Sequence, residues 1–421
     1  MKVLVFGLGY VGSTMAACLS ESGHTVVGID TNPEKVGLVA AGRSPVREPG
    51  LEDLLGAAVA RDLLSTALDI GDHVLDAEIA VVCVGTPSCA DGFLEMSHVR
   101  AVAEELGTAA ARRPGGAAPL LCVFRSTMLP GTMETLVVPA ITAAAGAPPG
   151  ATYEVAFSPE FLRESVAIAD YFRPPKIVVG ERQAGVTERL RGLYDGIDAP
   201  FFEASFRVAE MIKMVDNTFH ALKVTFANEI GRMAAAAEVE VDQLMTLFLA
   251  DRKLNISEAY LRPGGPFGGS CLPKDVAALC AFARRSAVDA PVIGHILESN
   301  AAHQAALGRR VAAGLPAKAP ILLMGITFKA GTDDLRDSPM VHLARDLLDR
   351  GHPLMIYDQD LEGYNLVGEN LKFVRRHLPE FLDLLVDDLE QALSGKPVVV
   401  RAKPLPMPAP AGVRVIDVDA L

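Results

Sequence analysis

The chain has 421 residues, half of them apolar and 22% charged, with a formal net charge of -13. That length exceeds one ordinary core and predicts two or three domains. The acidic balance argues against nucleic acid or an anionic membrane as partner, while leaving room for a local basic pocket.

The first element is a strand, Lys2 to Phe6, and a glycine turn follows it. A helix from about Val11 to Ser22 stops at Gly23, and a second strand, His24 to Ile29, ends at Asp30. Gly7, Gly9 and Gly12 interrupt the opening apolar run, so it reads neither as a signal peptide nor as a membrane span. They form G-x-G-x-x-G in the strand–turn–helix setting that a dinucleotide site requires. The first glycine makes the turn, the second admits a pyrophosphate, and the third lets helix pack on strand. Backbone N–H groups of Tyr10 and Val11, at the helix N-terminus, are offered to phosphate. Asp30 lies eighteen residues past Gly12. Its carboxylate accepts from ribose hydroxyls and repels a 2'-phosphate, which favours NAD over NADP. No arginine follows to reverse this, since Thr31 and Asn32 come next.

Further apolar strands lie within 77–87, 119–132 and 176–181. Strands alternating with helices predict a parallel sheet covered on both faces. From Arg207 the texture becomes helical: Val208, Met211, Ile212, Val215, Phe219 and Leu222 recur at helical spacing. So long a helix is expected to join two domains or to form a dimer spine, and helical texture continues to about residue 310. Lys213, Asn217 and His220 share one face of it. They are either donors to an oxyanion or sugar hydroxyls, or an ordinary solvated stripe.

The stretch "GGPFGGSCLPKD" at 264–275 sets Cys271 among glycines, just before Lys274 and Asp275. A reactive cysteine needs room for substrate and a nearby cation. Gly268 and Gly269 are expected to permit close approach, Lys274 to supply charge, and Asp275 to orient it or handle protons. Cys18, Cys83 and Cys122 fall inside predicted elements and are expected to be core. With Cys89 and Cys280 they show no C-x-x-C pair, so no metal site or disulfide framework is expected, and a reducing cytoplasm is the default. Residues 319–360 repeat the opening plan, with Asp358 ending the second strand, and two short strand-like runs close the chain.

The predicted fold is α/β: two Rossmann-like domains with parallel sheets, joined by a central long-helix dimerisation region. The expected boundaries are 1–200 for the NAD domain, 201–305 for the helical region with the cysteine loop, and 306–421 for the C-terminal domain.

Several blocks taken together resemble the UDP-glucose/GDP-mannose dehydrogenase family, nearest its GDP-mannose branch. They are "FGLGYVG" at 6–12, "VCVGTPS" at 82–88, "RSTMLPGT" at 125–132, "SPEFLRES" at 158–165, "GGSCLPKD" at 268–275 and "FKAGTDDLRDSP" at 328–339, with "AEMIK" and Asn217 on the long helix. "NTFHALKVTFANEI" at 217–230 and "YLRPG" at 260–264 point to the branch. The resemblance implies a cytoplasmic homodimer or higher even oligomer that binds NAD and a nucleotide sugar. It implies a four-electron oxidation of the sugar C6 alcohol to a carboxylate, with Cys271 forming a thiohemiacetal and then a thioester. Lys213 and Asn217 would stabilise the oxyanion, Glu160 and Thr127 would position water, and Asp275 would support proton handling. Lys35, Thr86, Thr127 and Glu164 fall on the cofactor side. Phe161, Leu162, His220, Tyr260, Arg262, Phe267, Gly268, Lys329 and Arg336 fall on the substrate side, with His220 implied in sugar recognition. Arg336 has a structural alternative, an ion pair with Asp333 or Asp337.

Overall fold

The computed structural model describes residues 1–87, 89, 93–181, 186–257, 265–269, 272–328, 334–361, 368–403 and 411–418. The chain divides into two compact units, Met1–His220 and Ala221–Leu421.

The first unit is built on eight strands: β1 Lys2–Phe6, β2 Thr25–Ile29, β3 Leu64–Ala67, β4 Ile79–Val82, β5 Leu120–Phe124, β6 Tyr153–Phe157, β7 Ile177–Gly180 and β8 Phe201–Ala204. Their order across the sheet is β3-β2-β1-β4-β5-β6-β7-β8. The central strands β4 and β5 are buried along their whole length, which is why they read as unbroken apolar runs. Successive side chains point to opposite faces. Leu4, Phe6, Val82 and Phe124 therefore enter one core, while Val3, Val5, Val81 and Val123 enter the other. Helices α1 Tyr10–Glu21, α2 Pro33–Ala40, α3 Leu51–Ala60, α4 Ser97–Ala110, α5 Val138–Ala145, α6 Ala167–Phe172 and α7 Val186–Arg191 alternate with the strands.

The expectation of a parallel sheet holds through β6 and then fails. β7 pairs antiparallel with β6, through Phe157 opposite Gly180, and β8 runs parallel to β7. The connection between β6 and β7 contains only α6, six residues and about 9 Å of helix. The reversal puts the start of β7 at the rim where β6 ends.

Helix α8, Phe206–Ala236, starts in the first unit and ends in the second. Each half carries one buried carboxylate that caps another segment. Glu210 accepts from the N–H groups of Gly131 at 2.5 Å and Met133 at 2.7 Å. Glu229 accepts from Val292 and Ile293, both at 2.9 Å. Free N–H groups at helix starts attract carboxylates in this way.

The second unit adds α9 Val241–Ala250, α10 Leu272–Arg285, α11 Pro291–Gly294 and α12 Ile296–Ala313. A four-stranded sheet follows, in the order β10-β9-β11-β12 and parallel throughout. Its strands are β9 Ile321–Met324, β10 Leu354–Tyr357, β11 Val398–Arg401 and β12 Val415–Asp417. Helices α13 Pro339–Asp349, α14 Gly368–His377, α15 Phe381–Leu384 and α16 Leu389–Ser394 accompany it. Among the described residues no helix is long and apolar enough to cross a membrane.

Candidate active site

The glycine turn between β1 and α1 shows why each glycine is there. Gly7 has φ +89°, in the left-handed region that favours glycine. A Cβ on Gly12 would lie 1.7 Å from the Gly7 carbonyl oxygen, so only glycine lets α1 pack this close. A Cβ on Gly9 would meet nothing within 4 Å. The space beside Gly9 is open, and no side chain caps the start of α1. The first-turn N–H groups there, those of Tyr10 and Val11 included, suit a pyrophosphate.

Asp30 is buried at the end of β2. Its Oδ2 accepts from the Leu8 N–H at 2.7 Å, and its Oδ1 from the Asn32 N–H at 2.9 Å. Lys35 Nζ stands 3.4 Å from Oδ2. The carboxylate thus braces the glycine turn and keeps acceptor capacity on Oδ1 for a ribose hydroxyl. A cleft of about 540 Å³ opens here, lined by Gly7, Gly9, Asp30 and Lys35, with Leu68 and Val102 on its apolar side. Open space at Gly9, an uncapped helix start and a residual acceptor on Asp30 fit NAD. Tyr10 uses its side chain otherwise. Its hydroxyl donates to Glu48 and accepts from the Ser165 N–H at 3.1 Å. Glu48 also accepts from Ser165 and Ala167, at 2.7 and 2.9 Å. The Tyr10 and Glu48 side chains therefore join the cofactor helix to the segment after β6 that carries exposed Glu164.

Beyond β4 and β5, Thr86 Oγ1 donates to the Thr127 carbonyl at 2.9 Å, and Ser126 Oγ to the Val84 carbonyl at 2.7 Å. These bonds tie the two loops together. Arg125 donates to the Tyr194 hydroxyl at 2.6 Å and to Ser158 Oγ at 3.2 Å, fixing the start of the loop after β6.

That loop meets α8. Lys213 Nζ donates to Glu160 Oε1 at 2.7 Å, with the two side chains only 12% and 13% exposed. Glu160 Oε2 accepts from the Leu162 N–H at 2.7 Å. The lysine and the carboxylate, 53 residues apart in sequence, therefore form one fixed unit. Phe161 and Leu162 are half-buried beside it, whereas Asn217 and His220 are exposed. No hydrogen bond joins Thr127 to Glu160 among the described residues.

In the second unit, α10 begins at Leu272, the residue after Cys271. Cys271, Tyr260, Arg262, Lys329 and Asp333 lie outside the described residues. Gly268 and Gly269 do permit a close approach, by a neighbouring carbonyl and a ring. A Cβ on Gly268 would sit 2.2 Å from the Asp337 carbonyl oxygen, and one on Gly269 would sit 2.8 Å from the Phe328 ring. The glycines are there so that this loop can pack against the segment after β9. Asn300 holds Phe267 by both backbone groups, at 3.0 and 2.8 Å. Lys274 and Asp275 are exposed and stand 3.4 Å apart. Arg336 pairs with Asp334, at 2.9 and 2.8 Å; of the two expected partners, Asp333 lies outside the described residues.

The sheet of the second unit repeats the Asp30 arrangement and then closes it. Asp358, at the end of β10, accepts from the N–H groups of Ile326 and Thr327 at 2.7 and 2.9 Å. Lys403 then binds both Asp358 oxygens at 2.8 Å. Its chain lies 2.5 Å from where a Gly325 Cβ would be. Gly325 is the counterpart of Gly7, and Thr327, the counterpart of Gly9, accepts from the same lysine through its hydroxyl.

Cys18 and Cys122 are buried, and burial pushes both thiols up to about 12, as expected of core cysteines. Sequence reading missed Glu48, Arg125, Glu210 and Lys403. Each acts on residues more than thirty positions away, and no local spacing signals that.

Three family descriptions match successive parts of the chain. The UDP-glucose/GDP-mannose dehydrogenase family NAD binding domain matches residues 1–198, the central domain 207–302 and the UDP binding domain 322–400. The chain is 40% identical to a GDP-mannose 6-dehydrogenase of Pseudomonas savastanoi pv. phaseolicola, over 99% of this chain and 95% of that protein. It is 32% identical to a UDP-glucose 6-dehydrogenase of Pseudomonas aeruginosa, over 85% and 79%. A crystal structure of a ternary complex of GDP-mannose dehydrogenase from Pseudomonas aeruginosa superposes with a TM-score of 0.92 at 39% identity, covering 99% of this chain and 96% of that one. An open glycine turn braced by an acidic residue, in a chain that matches all three family parts, leads to one conclusion: the chain belongs to the UDP-glucose/GDP-mannose dehydrogenase family and is an NAD-dependent oxidoreductase.

Proposed function

We propose that this enzyme oxidises the C6 alcohol of GDP-mannose to the carboxylate of GDP-mannuronate. The observation that carries the reading is the Lys213–Glu160 pair, held at 2.7 Å in the same unit as the open glycine turn. The Lys213 ammonium and the Asn217 amide stabilise negative charge on the C6 oxygen. Cys271 adds to the aldehyde carbon and keeps it bound as a thiohemiacetal, so no free aldehyde escapes. The thioester that follows is hydrolysed by water, with Glu160 taking the proton, Thr127 helping to place the water and Asp275 supporting proton transfer. Gly7, Gly9, Gly12, Asp30 and Lys35 hold NAD, with Thr86 and Glu164 on the same side. When bound, NAD supplies the hydride acceptor for both oxidations.

GDP-mannose is favoured over a UDP-sugar because the relatives bearing its name are more similar than the UDP-glucose enzyme. His220 is assigned to the sugar, with Phe161, Leu162, Tyr260, Arg262, Phe267 and Gly268 around it; Lys329 and Arg336 are assigned to the diphosphate side. The division into 1–200, 201–305 and 306–421 belongs to the same proposal. So does a homodimer or higher even oligomer formed along α8, whose Val208, Met211, Val215, Leu222 and Val224 remain exposed. A cytoplasmic location is supported by free thiols at Cys18, Cys83, Cys89, Cys122 and Cys280.

The test is kcat/KM for GDP-mannose, UDP-glucose, UDP-N-acetylglucosamine and UDP-N-acetylmannosamine. GDP-mannose is expected to lead by at least about a hundredfold. A UDP-sugar in the lead would discard the assignment of His220 and keep the chemistry.

A further inference from the structure

A second ion pair stands beside Lys213–Glu160, and the ring of Phe161 lies near both. Lys176 Nζ is 2.6 Å from Asp216 Oδ2, with side chains 25% and 24% exposed. The Lys176 ammonium is 4.8 Å from the centre of the Phe161 ring, and the Lys213 ammonium is 6.0 Å from it. The reversed strand accounts for this placement. Phe157 and Gly180, the last residues of β6 and β7, are paired, so Lys176, the residue before β7, lies beyond the end of β6 on the side where the loop carrying Phe161 leaves the sheet. Asp216 lies three residues after Lys213 on α8, hence on the same face. Two lysines and two carboxylates are therefore crowded onto one partly buried rim, sorted into two pairs.

The sorting matters because either pair can poach from the other. Without Asp216, the Lys176 ammonium loses its anion beside the loop that carries Glu160. The other carboxylate on the cavity it lines, Asp170, is already held by Arg163 at 3.0 and 2.7 Å. Arg125 lines the same cavity as a second cation, bonded to Tyr194 and Ser158. Without Lys176, the orphaned Asp216 carboxylate competes with Glu160 for the Lys213 ammonium. We propose that Lys176 and Asp216 are positioning residues, which keep Lys213 and Glu160 paired with each other. The proposal rests on the catalytic reading of Lys213 and Glu160 given above.

The test compares Asp216→Asn, Lys176→Met and the double variant in the full-length protein, with GDP-mannose and NAD. Each single variant is expected to lower kcat on the order of tenfold, with KM little changed. The double variant is expected to recover to within about threefold of the parent, because no unpaired charge remains. Losses that multiply in the double variant, or a parental kcat in Asp216→Asn, would overturn the proposal. If a single variant fails to fold by thermal unfolding, the charge-swapped pair Lys176→Asp with Asp216→Lys replaces it. That swap restores one opposite pair and is expected to exceed either half-swap in kcat; failure to do so overturns the proposal. Lys213→Ala is run alongside. A parental kcat there removes the catalytic reading itself, whereas loss there with a parental Asp216→Asn removes only this proposal.

Discussion

Gly9 and Gly12 are three residues apart in one motif, yet the structure assigns them opposite sensitivities. A methyl group at position 12 would be forced to 1.7 Å from the Gly7 carbonyl oxygen, well inside van der Waals contact. Strand and helix must separate to admit it, and overpacking of this kind costs about 1–3 kcal/mol or more. At position 9 the methyl meets nothing within 4 Å, and the backbone at φ -82° is open to any residue. Gly9→Ala should leave stability within about 0.5 kcal/mol of the parent or raise it slightly. Its cost falls on the ligand, because the methyl occupies the approach to the helix N-terminus. NAD affinity is expected to fall at least about tenfold, or about 1.4 kcal/mol. Thermal unfolding without ligand and titration calorimetry with NAD separate the two effects. A Gly9→Ala protein that binds NAD as tightly as the parent would refute the placement of the pyrophosphate. A Gly12→Ala protein with the parental Tm would refute the packing argument.

Asp30 neutralises Lys35, 3.4 Å away. Asp30→Ser frees that ammonium for a 2'-phosphate, and the ratio of NADP to NAD affinity is expected to rise on the order of tenfold; an unchanged ratio would contradict the geometry. Acid should weaken the fold. Burial, and secondarily the N-terminal amine, lowers His24 below its ordinary 6.5; burial, and secondarily His377, does the same to His342. Both are favoured neutral in the folded chain, so the unfolded chain binds more protons just below pH 6.5. Stability is therefore complete above that value and is lost as pH falls through it towards the depressed values. Tm measured at pH 7.5 and 5.5 should drop for the parent, and drop less for His342→Gln.

Much of the fold was legible because it repeats at short range. The 3.6-residue recurrence of Val208, Met211, Val215 and Leu222 announced α8, and the buried strands stood out as apolar runs. The glycine motif was legible because its spacing is itself the geometry. The reversal at β7 was not, since alternation reveals a strand and not its direction. The pairing of Lys176 with Asp216 depends on that reversal and was equally hidden. Glu48, Glu210 and Glu229 serve N–H groups far along the chain, and a buried carboxylate looks in sequence like any surface one. The glycines before Cys271 were legible as sites of close approach, but what approaches them was not: only the positions of Asp337 and Phe328 show it.

The central claim, an alcohol carried to an acid without release of the aldehyde, is tested most directly by counting NADH formed per GDP-mannose consumed, for the parent and for Cys271→Ser. Two NADH in the parent and no carboxylate product from Cys271→Ser is the expected result. One NADH in the parent, or parental turnover to the carboxylate without the thiol, would contradict it.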